Sequence, residues 1–275
     1  MLDMKKKTVS TAFFFLWYTS FMSKIKKFSM NQVVILAGGK GSRMQSDIPK
    51  VLTSVKGIPI ITRLLSAVRD IAEKPVVVVG YRGDEVKAYL GDACEYAYQA
   101  EQLGTGHALL CAKSVLVDRG YKNIIVMPGD HPLVSAETFR KLIATHEQSQ
   151  AKMSLAIVSV PNYEGDYEAF AHFGRIVRDA TGMVVRIVEY KDATDEERQI
   201  REVNPSYYCF DAEWLWQNID RLNSENMAHE FYLTDMVALA RQAGGLIPTI
   251  AVENPFEGLG VNDREQLEII EKYAE

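Results

Sequence analysis

From residue 31 onward, short apolar runs alternate with segments of helical periodicity, and this alternation constrains the fold more than any other feature of the sequence. The apolar runs lie at 31–36, 75–79, 95–98 and 123–127. The helical segments between them lie at 59–72, 84–90 and 107–117. Strands that alternate with helices predict βαβ units, and therefore an α/β fold with a doubly wound, mostly parallel, Rossmann-like sheet. In such sheets ligands bind beyond the carboxyl ends of the strands.

The pattern changes after about residue 152. Strands are predicted at 153–160, 174–179, 183–190 and 246–252, and helices near 212–222, near 233–242 and from 263 onward. Thr181 and Gly182 have the chemistry of a hairpin turn between two of these strands. Asp263 and Gln266 have the spacing of a capping box at the start of the last helix. This half is expected to add an antiparallel subsheet that walls one side of the cleft.

Residues 1–29 do not share this pattern. Lysines flank an apolar run at about 12–22 on both sides, which imitates a signal peptide. The run is too short to span a bilayer, and no A-x-A cleavage site follows it. We interpret the segment as an extension ahead of a domain at 30–275, with a membrane-surface anchor or an export signal as the alternatives. A chain that begins at Met30 is expected to fold and to keep its activity.

The charge and the potential metal-binding residues exclude several classes of function. The formal net charge of -5 gives no basic footprint, so nucleic acid is not an expected partner. The three cysteines, Cys94, Cys111 and Cys209, lie in apolar stretches without metal-ligand spacing, which predicts reduced thiols in a cytoplasmic protein. The five histidines show no HxH or HExxH spacing, so no zinc site is expected.

A loop rich in glycine and cations follows the first predicted strand, in the segment LAGGKGSRMQSDIPKVL at 36–52. It contains three glycines and three cations, namely Gly38, Gly39, Gly41, Lys40, Arg43 and Lys50. Glycines let backbone N–H groups approach a phosphate chain closely, and the cations would repel one another without an anion between them. The loop therefore predicts a triphosphate site, with a structural turn carrying solvated cations as the alternative. Its spacing matches neither the GxxxxGK[ST] loop nor the GxGxxG fingerprint.

Asp130 directly follows the apolar run at 123–127 and Pro128-Gly129. This position would bring its carboxylate to the edge of the sheet where ligands bind. A lone Asp after a strand is more often a turn residue than a metal ligand, so the interpretation depends on a second ligand elsewhere in the chain.

A series of segments in the same order supports one family. They are QAEQLGTGHA at 99–108, GD at 129–130, FGRIVRD at 173–179, VEYKDATDEERQI at 188–200, EVN at 202–204, EFYLTDMVALA at 230–240 and GVNDR at 260–264. With the glycine-rich loop, they resemble the sugar-1-phosphate nucleotidyltransferase (pyrophosphorylase) family. The similarity is greatest to the N-terminal uridylyltransferase domain of the bacterial bifunctional N-acetylglucosamine-1-phosphate uridylyltransferase/glucosamine-1-phosphate acetyltransferases.

The resemblance implies a Mg²⁺-dependent enzyme that joins UTP to a sugar-1-phosphate and releases pyrophosphate. The implied nucleotide-binding residues are Leu36, Gly38, Gly39, Lys40, Gly41, Gln99, Gly104 and Thr105, with Arg43 and Lys50 as catalytic cations. The implied metal ligands are Asp130 and Asn262, and the implied sugar-binding residues are Gly174, Glu189 and Asn204, on the antiparallel subsheet that walls the sugar site. No general base is required, because a phosphate monoester is already an anion at neutral pH.

Several of these positions have a second interpretation. Gln99 can offer a donor and an acceptor to a pyrimidine edge, whereas Thr105 could instead cap the helix that contains His107. His107 and His131 lie beside the proposed nucleotide and metal loops, and we expect them to support these loops by hydrogen bonds. Three aromatic residues are expected to pack in the core rather than stack on a base, namely Tyr207, Tyr208 and Phe210.

The chain departs from the family pattern at two places near the expected sugar site. Asn204 is followed by Pro205-Ser206 where the family usually has Thr-Gly, and Pro128 stands where the family usually has Tyr. The expected product is UDP-N-acetylglucosamine, a precursor of the cell envelope. Another sugar-1-phosphate, another nucleotide, or a non-catalytic regulatory protein on the same fold are the alternatives. The sequence shows no hexapeptide repeats, so neither acetyl transfer nor a trimer mediated by a β-helix is expected.

Overall fold

The first apolar run forms a central strand of the sheet. In the computed structural model, which describes residues 30–44 and 48–275, strand β1 (Asn31–Ala37) lies between two parallel neighbours. These are β4 (Val76–Val79) on one side and β6 (Asn123–Pro128) on the other. The expectations for residues 1–29 lie outside the described residues.

The other strands and the helices follow in chain order. The other strands are β2 (Ser54–Val55), β3 (Ile58–Pro59), β5 (Glu95–Tyr98), β7 (Met153–Ser159), β8 (Arg175–Arg178), β9 (Val184–Val188), β10 (Glu202–Val203), β11 (Tyr208–Asp211) and β12 (Thr249–Ala251). The helices are α1 (Ile60–Val68), α2 (Gly83–Leu90), α3 (Thr105–Leu116), α4 (Ala136–Ser149), α5 (Asp195–Arg198), α6 (Ala212–Asn218), α7 (Met236–Gln242) and α8 (Arg264–Tyr273).

The predicted mixture of parallel and antiparallel strands is confirmed. Within the described residues the main sheet has the order β5-β4-β1-β6-β11-β7-β10-β8-β9, and β12 pairs with the free side of β7. The strands from β5 to β6 are parallel to one another. From β11 onward the neighbours in this order are antiparallel, and they form the added subsheet.

The hairpin that joins β8 to β9 turns at the predicted residues. Gly182 has a φ of +83°, a left-handed conformation that glycine adopts without steric cost. The backbone N–H of Asp179 donates to the carbonyl of Met183 at 2.9 Å, and the Asp179 carboxylate accepts from the Thr181 N–H at 2.9 Å. The Thr181-Gly182 sequence therefore closes this hairpin as expected.

Helices cover both faces of the sheet because successive strand residues point to opposite sides. Val33 and Ile35 of β1 pack in one buried cluster, with apolar residues of α1, α4 and α8. Val34 packs in a second cluster, with apolar residues of α3, α6 and α7. The doubly wound arrangement follows from these two clusters.

Three predicted element bounds are wrong in instructive ways. Helix α1 begins at Ile60 and ends at Val68, because Pro59 belongs to the short hairpin β2–β3 and has an extended ψ of 140°. The segment predicted as a helix at 233–242 begins as a 3₁₀ turn over Leu233–Asp235 before α7. Strand β12 covers only Thr249–Ala251 of the predicted 246–252, which is the part that pairs with β7.

Helix α4 was not predicted, although its sequence carries a helical signal. Ser135 is its N-cap, and the Ser135 side chain accepts from the Thr138 N–H at 3.2 Å. Phe139, Leu142 and Ile143 are buried on one face of the helix, together with His146. The spacing of these four residues, after a serine cap, is the pattern that would have revealed the helix.

Among the residues that the structure describes, no helix is both long enough and apolar enough to cross a lipid bilayer.

Candidate active site

The topology brings the ends of many strands to one edge of the sheet. β1, β4, β5 and β6 end at this edge, and the antiparallel strands β8 and β11 begin there. Because β9 and β10 also end there, residues far apart in sequence lie side by side in the order of the strands. From one side to the other these are Gln99, Gly38, Asp130, Tyr208, Asn204, Gly174 and Glu189.

A cavity of about 290 Å³ lies along this edge. Most of the predicted nucleotide-binding residues line it, namely Leu36, Gly38, Gly39, Gln99, Gly104 and Thr105. Lys50 and Asp130 line the same cavity. Five further lining residues have polar side chains and were not identified from the sequence as lining a site, namely Tyr81, Gln102, Ser206, Tyr208 and Glu230. Tyr208 was expected only to pack in the core, and it is buried among core residues as well as facing the cavity.

The glycine-rich loop passes close to its neighbours. A Cβ atom on Gly38 would lie 2.5 Å from Oε1 of Gln99, so a larger residue there would displace that side chain. Gly41 has a φ of +59°, and a Cβ there would lie 3.0 Å from Cβ of Lys50. These glycines therefore allow the loop to pack against both Gln99 and Lys50.

The three cations of this loop differ in their exposure. Within the described residues only Lys50 lines the cavity, whereas Lys40 and Arg43 are exposed. Residues 45–47, between Arg43 and Lys50, lie outside the described part. The prediction that Lys40 and Arg43 contact phosphate stays a prediction.

Lys50 brings together the two residues predicted to bind metal. Its Nζ atom forms an ion pair with Oδ2 of Asp130 and donates to Oδ1 of Asn262 at 3.1 Å. Burial by itself would raise the pKa of Asp130, but the Lys50 ammonium outweighs burial and holds that pKa below its usual value. Asp130 is therefore an anion at neutral pH, although its side chain is only 15% exposed.

Two backbone contacts fix Asn262 beside Asp130. The N–H of Val261 donates to the carbonyl of Asp130 at 2.9 Å. The N–H of Asn262 donates to Oε1 of Gln266 at 2.8 Å, while the Asp263 side chain caps α8 through the Gln266 N–H. The expected capping pair is thus present, except that Gln266 reaches Asn262 rather than the cap residue itself.

His131 is buried beside Asp130 and is hydrogen-bonded to the core residue Tyr207. Tyr207 donates its hydroxyl proton to the carbonyl of Glu257, so His131 Nδ1 must donate to the Tyr207 oxygen, over 2.9 Å. Burial lowers the pKa of His131 to about 4, so its ring is neutral at neutral pH. Its Nε2 then carries no proton, so it makes no hydrogen bond to Oδ1 of Asp130, which lies 3.5 Å away. The hydrogen bond that His131 makes is the one to Tyr207.

Gln99 lies at the end of the cavity that was assigned to the nucleobase. It is 3% exposed, and its Nε2 donates to the carbonyl of Gly104 at 3.1 Å and to Nδ1 of His107 at 3.2 Å. A backbone carbonyl can only accept, so this contact fixes which end of the amide is Nε2. The Gln99 oxygen is left as the acceptor for a ligand, and His107 supports the loop as expected.

Gly104, rather than Thr105, is the cap of helix α3. Gly104 has a φ of +107°, and a Cβ there would lie 2.7 Å from the carbonyl oxygen of Phe231. Thr105 is the first helical residue, and its hydroxyl accepts from the Leu233 N–H at 3.1 Å. The alternative in which Thr105 caps the helix is therefore wrong, because its side chain instead joins α3 to the 233–235 turn.

The three predicted sugar-binding residues meet at the other end of the edge. The Asn204 N–H donates to the carbonyl of Gly174 at 2.9 Å, and a Cβ on Gly174 would lie 3.4 Å from Oε2 of Glu189. Thr234 donates to Oε1 of Glu189 at 3.2 Å. Burial, together with nearby carboxylates, raises the pKa of Glu189, so hydroxyl donors from a ligand would stabilise its charged form.

The described residues contain no cluster of three or more His, Cys, Asp or Glu side chains suited to a metal ion. A metal at this edge would therefore depend on Asp130, Asn262 and oxygens from outside the protein.

Comparison with known proteins agrees with this geometry. The model of the MobA-like NTP transferase domain family matches residues 33–231, which is most of the chain. The chain belongs to the MobA-like NTP transferase domain family. The match includes Lys50, Gln99 and Asp130, and it ends before Asn262. The family resemblance that was drawn from the motifs is confirmed.

The similar curated proteins include several named "Bifunctional protein GlmU", among them one from Latilactobacillus sakei and one from Carboxydothermus hydrogenoformans. The one from Latilactobacillus sakei is 42% identical over 235 residues, which are 85% of this chain and 49% of the relative. The one from Carboxydothermus hydrogenoformans is 43% identical over 235 residues, 85% of this chain and 50% of the relative. This MobA-like chain thus spans about half the length of the curated relatives it matches.

A solved structure of similar fold is that of a UDP-glucose pyrophosphorylase complexed with UDP-glucose. It has a TM-score of 0.68 and 18% sequence identity, and the match covers 89% of this chain and 98% of that one. At this identity the likeness establishes the fold, and the expected α/β class is confirmed.

Proposed function

We propose that this protein is a uridylyltransferase that forms UDP-N-acetylglucosamine and pyrophosphate from UTP and N-acetylglucosamine-1-phosphate. The observation that carries the proposal is the convergence of Lys50, Asp130 and Asn262 in the middle of an edge. The nucleobase residue Gln99 lies on one side of this group and Asn204 on the other. The GlmU relatives support the choice of substrates.

The proposed reaction is a direct transfer between two phosphates. An oxygen of the sugar-1-phosphate attacks the α-phosphorus of UTP, a new P–O bond forms, and the bond to the β-phosphate bridging oxygen breaks. Pyrophosphate leaves with that electron pair. No residue has to remove a proton from the attacking oxygen, so the protein contributes positioning and electrostatic stabilisation.

Lys50 is suited to stabilise the charge that develops on the leaving pyrophosphate. It lines the cavity next to the glycine-rich loop, where its ammonium contacts Asp130 and Asn262. The amides of Gly39 and Gly41, with Arg43 from the exposed side of the loop, would add donors to the same phosphates. Each contact of this kind is worth roughly 2 to 4 kcal/mol in a transition state.

The residues around Lys50 fit a Mg²⁺ ion. Oxygens of Asp130 and Asn262 already face one cationic group, the Lys50 ammonium, so they form a pair of hard oxygen donors directed at a common point. Carboxylate and amide oxygens, completed by phosphate and water, are the ligands that Mg²⁺ prefers. When bound, the ion would supply positive charge to the reacting phosphates. Lys50 would then turn from these two residues toward the phosphates.

A cytoplasmic location is part of the proposal. The three cysteines are unpaired, with Cys94 and Cys209 buried and Cys111 half-buried. Burial raises the pKa of Cys94 to about 11, so this thiol is protonated and unreactive at neutral pH. Such thiols suit a reducing compartment, where nucleotides and sugar phosphates are also found.

Pyrophosphate release from UTP and N-acetylglucosamine-1-phosphate tests the assignment. We expect Lys50→Ala to lower kcat by about 100-fold or more, because a transition-state donor is lost. Lys122→Ala is a matched control, since Lys122 is exposed and precedes β6 at the opposite edge of the sheet from Asp130. Near-normal turnover of Lys50→Ala, or equal losses in both variants, would contradict the proposed role of this edge.

A further inference from the structure

Asn204 has few hydrogen-bonding atoms left for a sugar. It is 5% exposed, and its Nδ2 donates to the Tyr208 hydroxyl at 2.6 Å and to the Ser206 hydroxyl at 3.3 Å. Its Oδ1 accepts from the Ser206 N–H at 3.0 Å. An amide nitrogen carries two hydrogens, so both are already used within the protein. Any hydrogen-bond donor that faces a ligand here must therefore come from a group other than the Asn204 amide, whose Oδ1 can only accept.

The two hydroxyls that Asn204 holds both line the cavity. Ser206 and Tyr208 contribute to the same lining as Lys50 and Asp130. Each hydroxyl oxygen accepts from Asn204, so neither hydroxyl proton is used by Asn204. The two hydroxyls also interact with each other, and a ligand oxygen that accepts from both would take the place of that contact. Two donors side by side suit an acceptor oxygen, such as a sugar hydroxyl or an amide carbonyl.

Ser206 is held in a conformation that its side chain disfavours. Its φ is +61°, in the left-handed region. Within the described residues, five residues other than glycine have positive φ, and Ser206 alone among them lines the cavity. Strained backbone of this kind persists only where its surroundings enforce it, and it is concentrated at functional sites. Here Asn204 stabilises the left-handed backbone of Ser206 with two hydrogen bonds. Its Oδ1 accepts from the Ser206 N–H, and its Nδ2 donates to the Ser206 hydroxyl.

Pro205 fixes this corner further. Pro205 packs against Gly258, because a Cβ atom on Gly258 would lie only 3.0 Å from Cβ of Pro205. The proline ring also restricts the backbone just before Ser206. The hydroxyls of Ser206 and Tyr208 are therefore set in place before a ligand arrives, so little conformational entropy is lost when they bind it.

We propose that the hydroxyls of Ser206 and Tyr208 bind an acceptor oxygen of the sugar-1-phosphate, and that Asn204 is a positioning residue that holds both. The inference rests on the proposed function, because it places the sugar at this end of the cavity. It makes Ser206 a determinant of sugar specificity, and it assigns Asn204 a role different from the direct sugar contact that its sequence position predicts.

Steady-state kinetics with separate variation of each substrate tests the proposal. Ser206→Ala and Tyr208→Phe should each raise KM for N-acetylglucosamine-1-phosphate about five- to tenfold, as expected for loss of one hydrogen bond. KM for UTP should not change, because Gln99 and Gly104 lie at the other end of the edge. Asn204→Ala should raise the same sugar KM, and adding Ser206→Ala to it should have little further effect, because Asn204 acts through Ser206.

Ser206→Gly separates recognition from folding. It removes the hydroxyl but also relieves the left-handed strain, so the sugar KM should rise while the melting temperature holds or rises. Gln150→Gly is the matched control, since Gln150 is an exposed residue with a φ of +50° at the end of α4. It should hold or raise the melting temperature and leave both KM values unchanged.

The possible failures can be distinguished. Wild-type turnover with unchanged sugar KM in Ser206→Ala and Tyr208→Phe would overturn this inference alone. If the effects of Asn204→Ala and Ser206→Ala on the sugar KM multiplied fully in the double variant, Asn204 would contact the sugar independently of Ser206. That result would also overturn this inference. A wild-type chain that turns over no sugar-1-phosphate among N-acetylglucosamine-, glucosamine- and glucose-1-phosphate would overturn the proposed function itself, and this inference with it.

Discussion

In its proposed role at the nucleobase, Gln99 would set nucleotide selectivity through a single side chain. Because its Nε2 is used by Gly104 and His107, its Oε1 is the atom left for a base. An acceptor suits the ring N–H of uracil, whereas the corresponding ring nitrogen of cytosine carries a lone pair and would be repelled. In the proposed site, the orientation of this amide would therefore favour UTP over CTP.

His107→Ala should weaken this selectivity. It removes one of the two groups that orient the amide, so Gln99 can rotate more easily and offer Nε2 to cytosine. We expect the ratio of kcat/KM for UTP over CTP to fall about tenfold, the value of one well-placed hydrogen bond. Pyrophosphate release with each nucleotide measures the ratio. His172→Ala changes an exposed histidine as the control, and an equal ratio in both variants would mean that Gly104 alone orients Gln99.

The sequence predicted the residues of the site better than their contacts. Lys50, Asp130 and Asn262 could be selected because short motifs carry them, and the structure brings them together. The internal use of the Asn204 amide could not be predicted, because it depends on the left-handed backbone of Ser206. A serine after a proline gives no sequence signal for that conformation.

Among the secondary-structure elements, α4 shows how a distant loop completes a helix. A carboxylate oxygen of Glu257 accepts from the Ser135 N–H at 3.0 Å and from the Thr138 hydroxyl at 2.6 Å. An anion at a helix N-terminus is stabilising, because the first N–H groups have no partner within the helix. This contact also ties the loop after β12 to the loop after Asp130.

Glu257→Gln should therefore destabilise the fold. Loss of the negative charge at the start of α4 is expected to lower the free energy of unfolding by about 1 kcal/mol. Urea denaturation followed by circular dichroism measures the change. Glu253→Gln is the control, because Glu253 forms an exposed ion pair with Lys141 on the same helix and should have no measurable effect. Equal stability of Glu257→Gln and wild type would mean that the Ser135 side chain suffices as a cap.

The strands were easier to predict than the helices. The buried parallel strands β1, β4 and β6 are largely apolar, and they begin and end within a residue of their predicted bounds. The strand β5, at the end of the sheet, is more exposed but also has its predicted bounds. The position of β11 between β6 and β7 could not be predicted, since it depends on pairing between segments about 80 residues apart. That insertion is also what brings Tyr208 to the cavity.

In the whole molecule, the order of strands is also the order of the proposed subsites. The residues proposed for the base follow the parallel strands, Asp130 of the proposed metal-binding pair follows β6, and the residues proposed for the sugar lie on the antiparallel subsheet. If these subsites are correct, sugar specificity can change in the subsheet while Lys50 and Asp130 stay as they are. The departures at Pro205 and Ser206 lie in that half, whereas the departure at Pro128 lies at the end of β6 and lines the cavity.

The stability of the whole fold should depend on pH through a histidine remote from this site. Burial lowers the pKa of His146 in the folded chain to about 4, from an ordinary value of 6.5, and its ring contacts Ser154 at 2.9 Å. Above pH 6.5 the ring is neutral in both the folded and the unfolded chain, so it has no effect on stability there. As the pH falls from 6.5 toward 4, only the unfolded chain takes up the proton, and the free energy of unfolding falls.

His146→Gln should reduce this pH dependence, because glutamine does not titrate. Between pH 7 and pH 5 the wild type should lose about 2 kcal/mol of unfolding free energy through His146, and the variant should be spared that loss. His131, whose pKa burial also lowers to about 4, contributes equally in both chains. Urea denaturation at the two pH values measures the difference, with His229→Asn at an exposed histidine as the control. If wild type and His146→Gln lost the same free energy between these pH values, His146 would have to be protonated in the folded chain, and its buried contact with Ser154 would have to open to water.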